Sequence, residues 1–514
     1  MKRDGALVSL WQEGMPEYAV QAQELPDKVF DVVIVGGGIT GVTTGLLLQK
    51  GGKSCLIAEA YNLCFGTTGG TTAHLNTFLD TDYHTIEKDF GEDNAQLLYQ
   101  ATRQALDLVK AHVQEYNINC GYEEKDGYVY AQDDKQASYL EDIFKASQKA
   151  GAEVEYTDRI PVPIPFQKAV VYHRQAQIHP ARYVYALAKA FTDAGGVIAE
   201  ACRVTDVANE EPLIIESTRG RIRAHQLIYA THLPPGINLL HFRCAPYRSY
   251  AMAVTLADGT YPDGLAYDMY DPYHYYRTHH DVDGKKYLIV GGEDHKTGHN
   301  KNTEECFRHL ESYVRKYYQI ESIAYKWSSQ YFEPSDGLAY IGLLPGHSER
   351  LYVATGYSGN GITYSHIAAI TLSDLILKGD STYKDLFNPH RIKPVAGFAA
   401  FVKENADVVA QFVGKRIGQD KLETVAELAP GEARVVKYEG ESVAVYKDEN
   451  GQLYAVNPVC KHAKCIVGWN NAERSWDCPC HGARYDIRGH VITGPARTNL
   501  EIVELSDIME REGG

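Results

Sequence analysis

Long apolar runs, an excess of positive charge and internal repeats are all missing from this chain of 514 residues. No segment approaches the roughly 18 uninterrupted apolar residues of a membrane span, so we expect no transmembrane segment. The first residues lack the apolar core and cleavage site of a signal peptide, which favours a cytoplasmic location. The 51 basic and 67 acidic residues give a formal net charge of -16, which argues against a nucleic acid as partner.

The chain does contain enough apolar sequence, 44% of its residues, to build two or three packed domains. Of its ten cysteines, four crowd into 21 positions and the others are scattered singly. Scattered cysteines are typical of a reducing compartment, whereas crowded cysteines indicate a metal site. The crowded ones are Cys460, Cys465, Cys478 and Cys480.

A glycine motif near the amino end predicts a dinucleotide site. Residues 31–35 read as a strand, residues 36–41 form the pattern G-x-G-x-x-G, and a helix pattern leads to a second strand at 54–59. Such a loop lets backbone amides and the helix dipole hold a pyrophosphate. Glu59, at the end of the second strand, is placed to accept hydrogen bonds from the adenosine ribose.

NAD and FAD share this fingerprint, and three later segments bear on the choice. A loop of small residues follows at 65–74, a strand at 227–231 ends in Ala-Thr, and residues 351–362 read as a strand, a glycine turn and a helix start. With these segments the chain resembles, over roughly residues 30–380, the FAD-dependent D-amino-acid oxidase and glycine oxidase superfamily. Residues 288–293, 327–328 and 334–342 resemble further parts of that family, although Ala339 stands where many members carry proline.

The resemblance implies bound FAD. Some members attach it covalently through a histidine at the position of Gly70, so we expect noncovalent FAD here. His74 is either a neighbour of the flavin or a loop histidine bonded by backbone. The residues that the resemblance and the glycine motif assign to FAD are Gly36, Gly38, Ile39, Thr40, Gly41, Glu59, Thr67, Thr68, Thr71, Thr72, Ala73, His74, Val204, Ala230, Thr231, Gly356, Gly359, Asn360, Gly361 and Ile362.

The crowded cysteines belong to two short ligand loops near the carboxyl end. Cys460-x-His462 and Cys478-x-x-His481 are separated by fifteen residues. Two thiolates and two neutral imidazoles suit a [2Fe-2S] centre with unlike irons. A four-ligand zinc site is the alternative, but zinc spacings usually pair cysteines first and histidines second.

Residues 425–507 resemble the Rieske ferredoxin domain. The resemblance assigns Cys460 and Cys478 to one iron and His462 and His481 to the other. It also implies a disulfide between Cys465 and Cys480, and residues 494–496 are similar to the proline loop that covers the cluster. Ala483 stands where high-potential members carry a serine that donates to a sulfide, whereas Tyr485 is kept, so we expect a lowered potential.

These patterns predict an α/β, Rossmann-like domain of the glutathione-reductase type with an inserted α+β substrate domain, followed by a small all-β Rieske domain. The apolar stripe from Phe401 to Val413 predicts a helical linker. The expected boundaries are an amino-terminal extension at 1–29, an oxidoreductase unit at 30–390, a linker at 391–424 and the Rieske domain at 425–514. Within the unit, residues 30–80, 155–240 and 330–390 would bind FAD, and residues 81–154 and 241–329 would form the substrate domain.

The resemblance implies oxidation of an amine or amino acid C–N bond. Electrons would then pass from FAD to the cluster and on to an external acceptor or redox protein. Substrate candidates in the tyrosine-rich segment are Tyr250, Tyr273, Tyr275, Tyr276 and Arg277. Arg277 would bind a carboxylate, or it is an ordinary arginine of an edge strand.

Two other functions stay open at this point. An NAD(P)H-dependent reductase could deliver electrons through the cluster to an oxygenase, although only one G-x-G-x-x-G motif is found. A non-enzymatic sensor could report redox state to a partner protein. Bleaching of the flavin by amines or by NADPH separates these functions.

Overall fold

The structure is a computed structural model that describes residues 3–18, 24–391, 420–421, 428–438 and 441–504. The predicted linker helix, with its stripe from Phe401 to Val413, lies outside the described residues. Within those ranges, no helix is long and apolar enough to cross a bilayer.

The first 391 residues form two sheets and eight α-helices within the described part. The helices are α1 (Ile39–Lys50), α2 (Thr67–Gly70), α3 (Tyr83–Phe90), α4 (Glu92–Glu115), α5 (Asp134–Ala150), α6 (Pro180–Asp193), α7 (Glu304–Val314) and α8 (Gly361–Lys378), with a short 3-10 helix at Leu239–Phe242. The strands are β1 (Val29–Val35), β2 (Cys55–Ala58), β3 (His74–Leu75), β4 (Glu123–Ala131), β5 (Val154–Thr157), β6 (Lys168–Gln177), β7 (Val197–Ala199), β8 (Val204–Ala208), β9 (Leu213–Ser217), β10 (Gly220–Tyr229), β11 (Cys244–Leu256), β12 (Leu265–Asp268), β13 (Tyr275–His280), β14 (Lys286–Lys296), β15 (Ile320–Pro334), β16 (Tyr340–Leu343) and β17 (Leu351–Thr355).

The first sheet carries the glycine motif. Its order is β16-β17-β10-β1-β2-β7, and β1 is parallel to both β2 and β10, with Val33 opposite Leu56 and Leu227. β1 is buried along most of its length because Val32 and Ile34 pack with α1, α6 and α8, whereas Val33 and Val35 pack on the other face with residues of β8, β9 and β10. The predicted strand–loop–helix–strand unit is confirmed, and the glycine loop lies at the carboxyl end of β1, where such sheets bind ligands.

The second sheet has nine strands, in the order β15-β11-β14-β13-β12-β4-β6-β3, with β5 paired to β6. It contains β5 and β6, which the sequence analysis assigned to the FAD-binding part from residue 155 onward. They join the second sheet because β6 pairs antiparallel with β4 over most of its length. The strands of the first sheet therefore resume at β7 and not at residue 155.

Helix positions agree closely with the sequence. α4 has the apolar spacing of an amphipathic helix, and α6 begins at Pro180, a residue that suits the first turn of a helix. α1 is buried on nearly every side because it packs against α6 and α8, so it has no polar face. Residues of the expected amino-terminal extension are also packed, since the Trp11 side chain is fully buried.

The carboxyl-terminal part is all-β, as predicted. It has two four-stranded sheets built from β18 (Asp420–Lys421), β19 (Ala433–Tyr438), β20 (Glu441–Lys447), β21 (Leu453–Val456), β22 (Gly468–Asn470), β23 (Ser475–Asp477), β24 (Arg484–Tyr485) and β25 (Val491–Thr493). Buried ion pairs connect it to the rest of the chain: Arg248 lies 3.4 Å from Asp477, and Arg484 lies 3.2 Å from Asp4. Because buried charges need such partners, these pairs fix how the two parts dock.

Candidate functional site

A cavity of about 810 Å³ is lined by both sheets of the oxidoreductase part and by the carboxyl-terminal domain. The residues that the sequence assigned to FAD line this cavity, except Gly41, Ala73 and Gly356. These three residues support the loops that form the cavity wall. Gly41 packs on the carbonyl of Gly36, and Ala73 and Gly356 have positive φ angles in the loops beside it.

The glycine loop has the geometry of a pyrophosphate site. Gly36 has φ near 115°, and a Cβ there would lie 2.5 Å from the carbonyl oxygen of Ala230. A Cβ on Gly41 would lie 2.0 Å from the carbonyl oxygen of Gly36. The N-cap residue Gly38 has no side chain to cap α1, and the Ile39 N–H donates to Thr68 Oγ1 at 3.1 Å, so the positive end of the helix dipole stays directed at a bound anion.

Glu59, the residue expected to bind the adenosine ribose, lines the cavity beside the glycine loop. One carboxylate oxygen accepts from the backbone N–H of Gly37 at 2.7 Å and the other accepts from the N–H of Tyr61 at 2.9 Å. Burial raises the pKa of Glu59, and these backbone hydrogen bonds oppose the rise. Each carboxylate oxygen keeps a lone pair for a ribose hydroxyl.

His74 lines the cavity and is bonded by a side chain. Asn76 donates to the Tyr267 hydroxyl at 2.6 Å, and that hydroxyl also hydrogen-bonds to His74 Nδ1. Burial, together with the charge of Arg277, holds the pKa of His74 well below its usual value. Nε2 of the neutral ring is a buried atom with no hydrogen-bond partner among the described residues.

Arg277 does not line the cavity. Its Nη1 donates to the backbone carbonyls of Thr72, Ala73 and Ile178 at 3.0, 2.8 and 3.1 Å. Burial lowers its pKa to about 9. Nη1 of the guanidinium thus holds the loop that presents Thr72 and His74, while Nε and Nη2 are buried without a partner among the described residues, and the carboxylate-binding role of Arg277 stays a prediction.

Tyr250 and Tyr276 also lie away from the cavity, in the core between the second sheet and α7. Successive side chains of a strand point to opposite faces, so their neighbours Ser249 and Tyr275 line the cavity instead. The Ser249 and Tyr275 hydroxyls are 3.0 Å apart. Of the tyrosine candidates, Tyr273 and Tyr275 therefore line the cavity, whereas Tyr250 and Tyr276 lie one residue out of phase with it.

Asp294 and Tyr331 line the cavity from β14 and β15 of the second sheet. The Tyr331 hydroxyl donates to Asp294 Oδ2 at 2.8 Å, and Asp294 Oδ1 is buried without a partner in the described part of the chain. Burial raises the pKa of Asp294 to about 7, although hydrogen bonds from Ser249 and Tyr331 oppose the shift. Asp294 can therefore bind a cation or exchange a proton near neutral pH.

A second carboxylate, Asp80, anchors the late glycine turn. It accepts from the Gly359 N–H at 2.6 Å and from the Tyr273 hydroxyl at 3.0 Å, while Asn360 accepts from the Asp80 N–H at 2.8 Å. Burial raises the pKa of Asp80. Tyr273, a substrate candidate from the sequence, thus lines the cavity and fixes the turn before α8.

The four ligands assigned to the iron–sulfur cluster come together in one buried site. The thiols of Cys460 and Cys478 hydrogen-bond to each other, and the Tyr485 hydroxyl donates to Cys460 Sγ at 3.3 Å. The bond from Cys478, followed by the one from Tyr485, lowers the pKa of Cys460 to about 6. The rings of His462 and His481 are 4.9 Å apart.

Hydrogen bonds fix which nitrogen of His462 is free. Asn238 N–H donates to His241 Nδ1 at 3.2 Å, so Nδ1 of His241 is an acceptor. His462 Nε2 faces that nitrogen at 3.2 Å and the Gly236 carbonyl at 3.1 Å. Both partners accept, so Nε2 of His462 carries the proton and its buried, unpartnered Nδ1 keeps a lone pair.

His481 has both ring nitrogens buried without a hydrogen-bond partner in the described ranges. A buried imidazole without partners is unfavourable unless a ligand is bound. The sulfurs of Cys465, Cys478 and Cys480 lie within 4.8 Å of one another, but Cys465 and Cys480 form a disulfide. Of these three cysteines, Cys478 is therefore the one whose thiol can bind metal. Together with Cys460, His462 and His481 it gives two thiols and two imidazoles, which fit a [2Fe-2S] cluster.

One side chain joins the two sites. Gln330 lines the cavity and donates from Nε2 to the carbonyl of Gly482, the residue after His481, at 2.9 Å. The Thr67 hydroxyl donates to the Gln330 carbonyl at 3.0 Å. Sequence reasoning missed Gln330, Asp294, Ser249 and Tyr331, because they lie in ordinary strands and only the sheet register brings them to the cavity.

The fold and the two sites define a flavin-dependent oxidoreductase with an attached iron–sulfur domain. The family model for FAD dependent oxidoreductases (DAO) matches residues 31–375, and the Rieske [2Fe-2S] domain model matches residues 420–504. The chain therefore belongs to the DAO family of FAD-dependent oxidoreductases and carries a carboxyl-terminal Rieske domain. The family binds FAD, and the domain binds a [2Fe-2S] cluster.

Similar proteins include a Rieske 2Fe-2S iron-sulfur protein of Bacillus subtilis, YhfW, which is 33% identical over 93% of this chain and 94% of its own. The gamma-glutamylputrescine oxidoreductase of Escherichia coli is 25% identical over 70% of this chain and 85% of its own. Among solved structures, glycine oxidase from Geobacillus kaustophilus covers 71% of this chain and 99% of its own, with 19% identity and a TM-score of 0.59. That likeness supports the fold.

Proposed function

We propose that this enzyme oxidises the C–N bond of an amine and passes the electrons through its cluster to an external acceptor. Bound FAD takes two electrons as a hydride and releases them singly, and a [2Fe-2S] cluster carries one electron at a time. The observation that carries the proposal is a single cavity that contains both the glycine loop and a group of acidic and aromatic side chains. Gln330, which lines the same cavity, hydrogen-bonds to the loop that carries the cluster ligand His481.

The charges of the cavity favour an amine over an amino acid. Among the described residues, the lysine and arginine side chains that line it are Arg203 and Arg497, near the adenosine end. The lining from the second sheet and beside the late glycine turn presents Asp294, Asp80 and several tyrosines. A substrate carboxylate there would face like charge, whereas an ammonium group would be attracted. The relative named gamma-glutamylputrescine oxidoreductase supports an amine.

We assign Asp294 the task of binding the ammonium group and accepting its proton. Oδ1 is free for this contact because Tyr331 bonds Oδ2. The neutral amine then loses a hydride from its α-carbon, which leaves an iminium ion. Water adds to the iminium carbon, and the C–N bond breaks to give a carbonyl compound, an amine or ammonia, and a proton.

Anaerobic mixing of the holoenzyme with a panel of amines, amino acids and NADPH tests the proposal. We expect some amines to bleach the flavin absorbance near its visible maximum, whereas α-amino acids and NADPH leave it unchanged. Bleaching by NADPH alone would favour the reductase, and bleaching by amino acids alone would overturn the choice of an amine.

We further propose that FAD is bound without a covalent link, since Gly70 stands where some members attach it through histidine. Acid precipitation should then release the flavin completely into the supernatant. Yellow colour that stays with the washed precipitate would contradict this.

A further inference from the structure

We propose that the Rieske domain forms one wall of the FAD site, enclosing the adenosine half, and that the Thr493 hydroxyl bonds to that half. FAD release would then require the Rieske domain to move. The cavity lining includes residues of β25 and the loop that follows it, namely Ile492, Thr493, Gly494, Ala496 and Arg497.

Two residues of the oxidoreductase part hold β25 at the adenosine end. The Tyr61 hydroxyl donates to the Val491 carbonyl at 2.5 Å, and Arg203 Nη2 donates to the same oxygen at 3.1 Å. Tyr61 follows Glu59 by two positions, and its ring stacks on Phe65. β25 is therefore hydrogen-bonded to the loop that follows Glu59, the carboxylate expected to bind the ribose.

The loop after β25 is fixed at a second point. The Gly236 N–H donates to the Pro495 carbonyl at 3.1 Å, and Arg497 Nη1 lies 2.8 Å from Asp206. Gly236 is also the residue whose carbonyl accepts from His462. The segment that follows Ala230 and Thr231 thus contacts both the cluster ligand and the wall.

An unsatisfied hydroxyl points to a ligand here. Thr493 Oγ1 is buried and has no hydrogen-bond partner among the described residues, yet the residue lines the cavity. A buried hydroxyl without a partner is unfavourable, and the ribose and phosphate oxygens of the AMP half are matching partners. Docking of the domain and binding of FAD should therefore stabilise each other, since such coupling is reciprocal.

The test compares Thr493→Val with Thr498→Val in the full-length protein. Valine keeps the shape of threonine and removes the hydroxyl, and Thr498 is an exposed neighbour that does not line the cavity. After the flavin is removed, FAD and FMN are titrated separately, and iron content and the EPR signal of the reduced cluster report on folding. FMN lacks the AMP half.

We expect Thr493→Val to raise the Kd for FAD by about fivefold, the effect of one hydrogen bond, with no change for FMN, iron content or the EPR signal. Thr498→Val should match the wild type. Arg497→Glu, which places like charges beside Asp206, should speed FAD release. Unchanged FAD binding in both Thr493→Val and Arg497→Glu, or an equal loss of FMN binding, would overturn the proposal.

Discussion

Gln330 donates a hydrogen bond to the carbonyl oxygen of Gly482 at 2.9 Å, so a residue of the flavin cavity directly contacts the loop that carries His481. A Cβ on Gly482, whose φ is near 70°, would lie 2.8 Å from Gln330 Nε2. This close approach requires glycine at 482. It gives the flavin and cluster sites a short connection within one chain.

Replacing Gln330 with leucine should slow electron transfer to the cluster severalfold. The change removes the bond to Gly482 and leaves a buried carbonyl without its donor, which loosens the contact between the sites. Stopped-flow absorbance would follow the flavin and the cluster after mixing with substrate. Gln226→Leu, on β10 and outside the cavity lining, is the control; equal slowing in both variants would remove the special role of Gln330.

Asp294→Asn should raise KM for the amine by about 10–100-fold, the effect of losing a charged hydrogen bond. Asparagine keeps the size of the side chain and the contact with Tyr331. Steady-state kinetics with an artificial acceptor measures the effect. Glu333→Gln, at the same end of the cavity, is the matched control, and an Asp294→Asn variant with wild-type KM would remove the assigned role.

The pH profile provides a separate check on Asp294. Its pKa is raised to about 7, and only the ionised carboxylate attracts the ammonium group and accepts its proton. In the wild type, kcat/KM should rise as the pH increases through about 7 and should fall below it. In Asp294→Asn, the rise of kcat/KM through about pH 7 should disappear. If the variant keeps this rise, the titrating group is not Asp294.

Arg277→Met should lower the free energy of unfolding by roughly 2–4 kcal/mol, because three buried carbonyls lose their donor. Denaturant unfolding of the FAD-saturated protein measures this. Arg182→Met, which removes a partly exposed pair with Asp281, should cost less than about 1 kcal/mol. A stable Arg277→Met variant that selectively loses carboxylate substrates would support the carboxylate-binding role.

The midpoint potential of the cluster should lie below the upper end of the Rieske range, about +300 mV, because Ala483 offers no hydroxyl. Ala483→Ser should raise it by roughly 60–130 mV, from a charged hydrogen bond of about 1.5–3 kcal/mol and about 59 mV per tenfold change. Tyr485→Phe should lower it, since Tyr485 donates to Cys460. A redox titration monitored by EPR that shows both shifts in one direction would contradict this assignment.

The sequence predicted the parts of the molecule that local patterns encode. The glycine loop, Glu59 and the two ligand loops are short motifs whose spacing itself sets their geometry. The helices α4 and α6 also follow from apolar periodicity and Pro180.

The residues at the substrate-binding part of the cavity could not be predicted from local sequence patterns. Whether Tyr275 or Tyr276 faces the cavity depends on strand register, and a slip of one residue reverses the faces. The partners of Arg277 are backbone carbonyls far away in sequence, and Thr493 reaches the cavity only because the Rieske domain docks there. No local pattern encodes such contacts.

The central claim, single-electron exchange between the flavin and the cluster of one chain, is tested most directly by rapid anaerobic reduction with an amine substrate. Flavin absorbance and the EPR signal of the reduced cluster are followed at several protein concentrations. The account predicts that the flavin is reduced first and that the cluster follows at a rate independent of protein concentration. A cluster that stays oxidised beside fully reduced flavin, or a rate proportional to protein concentration, would contradict it.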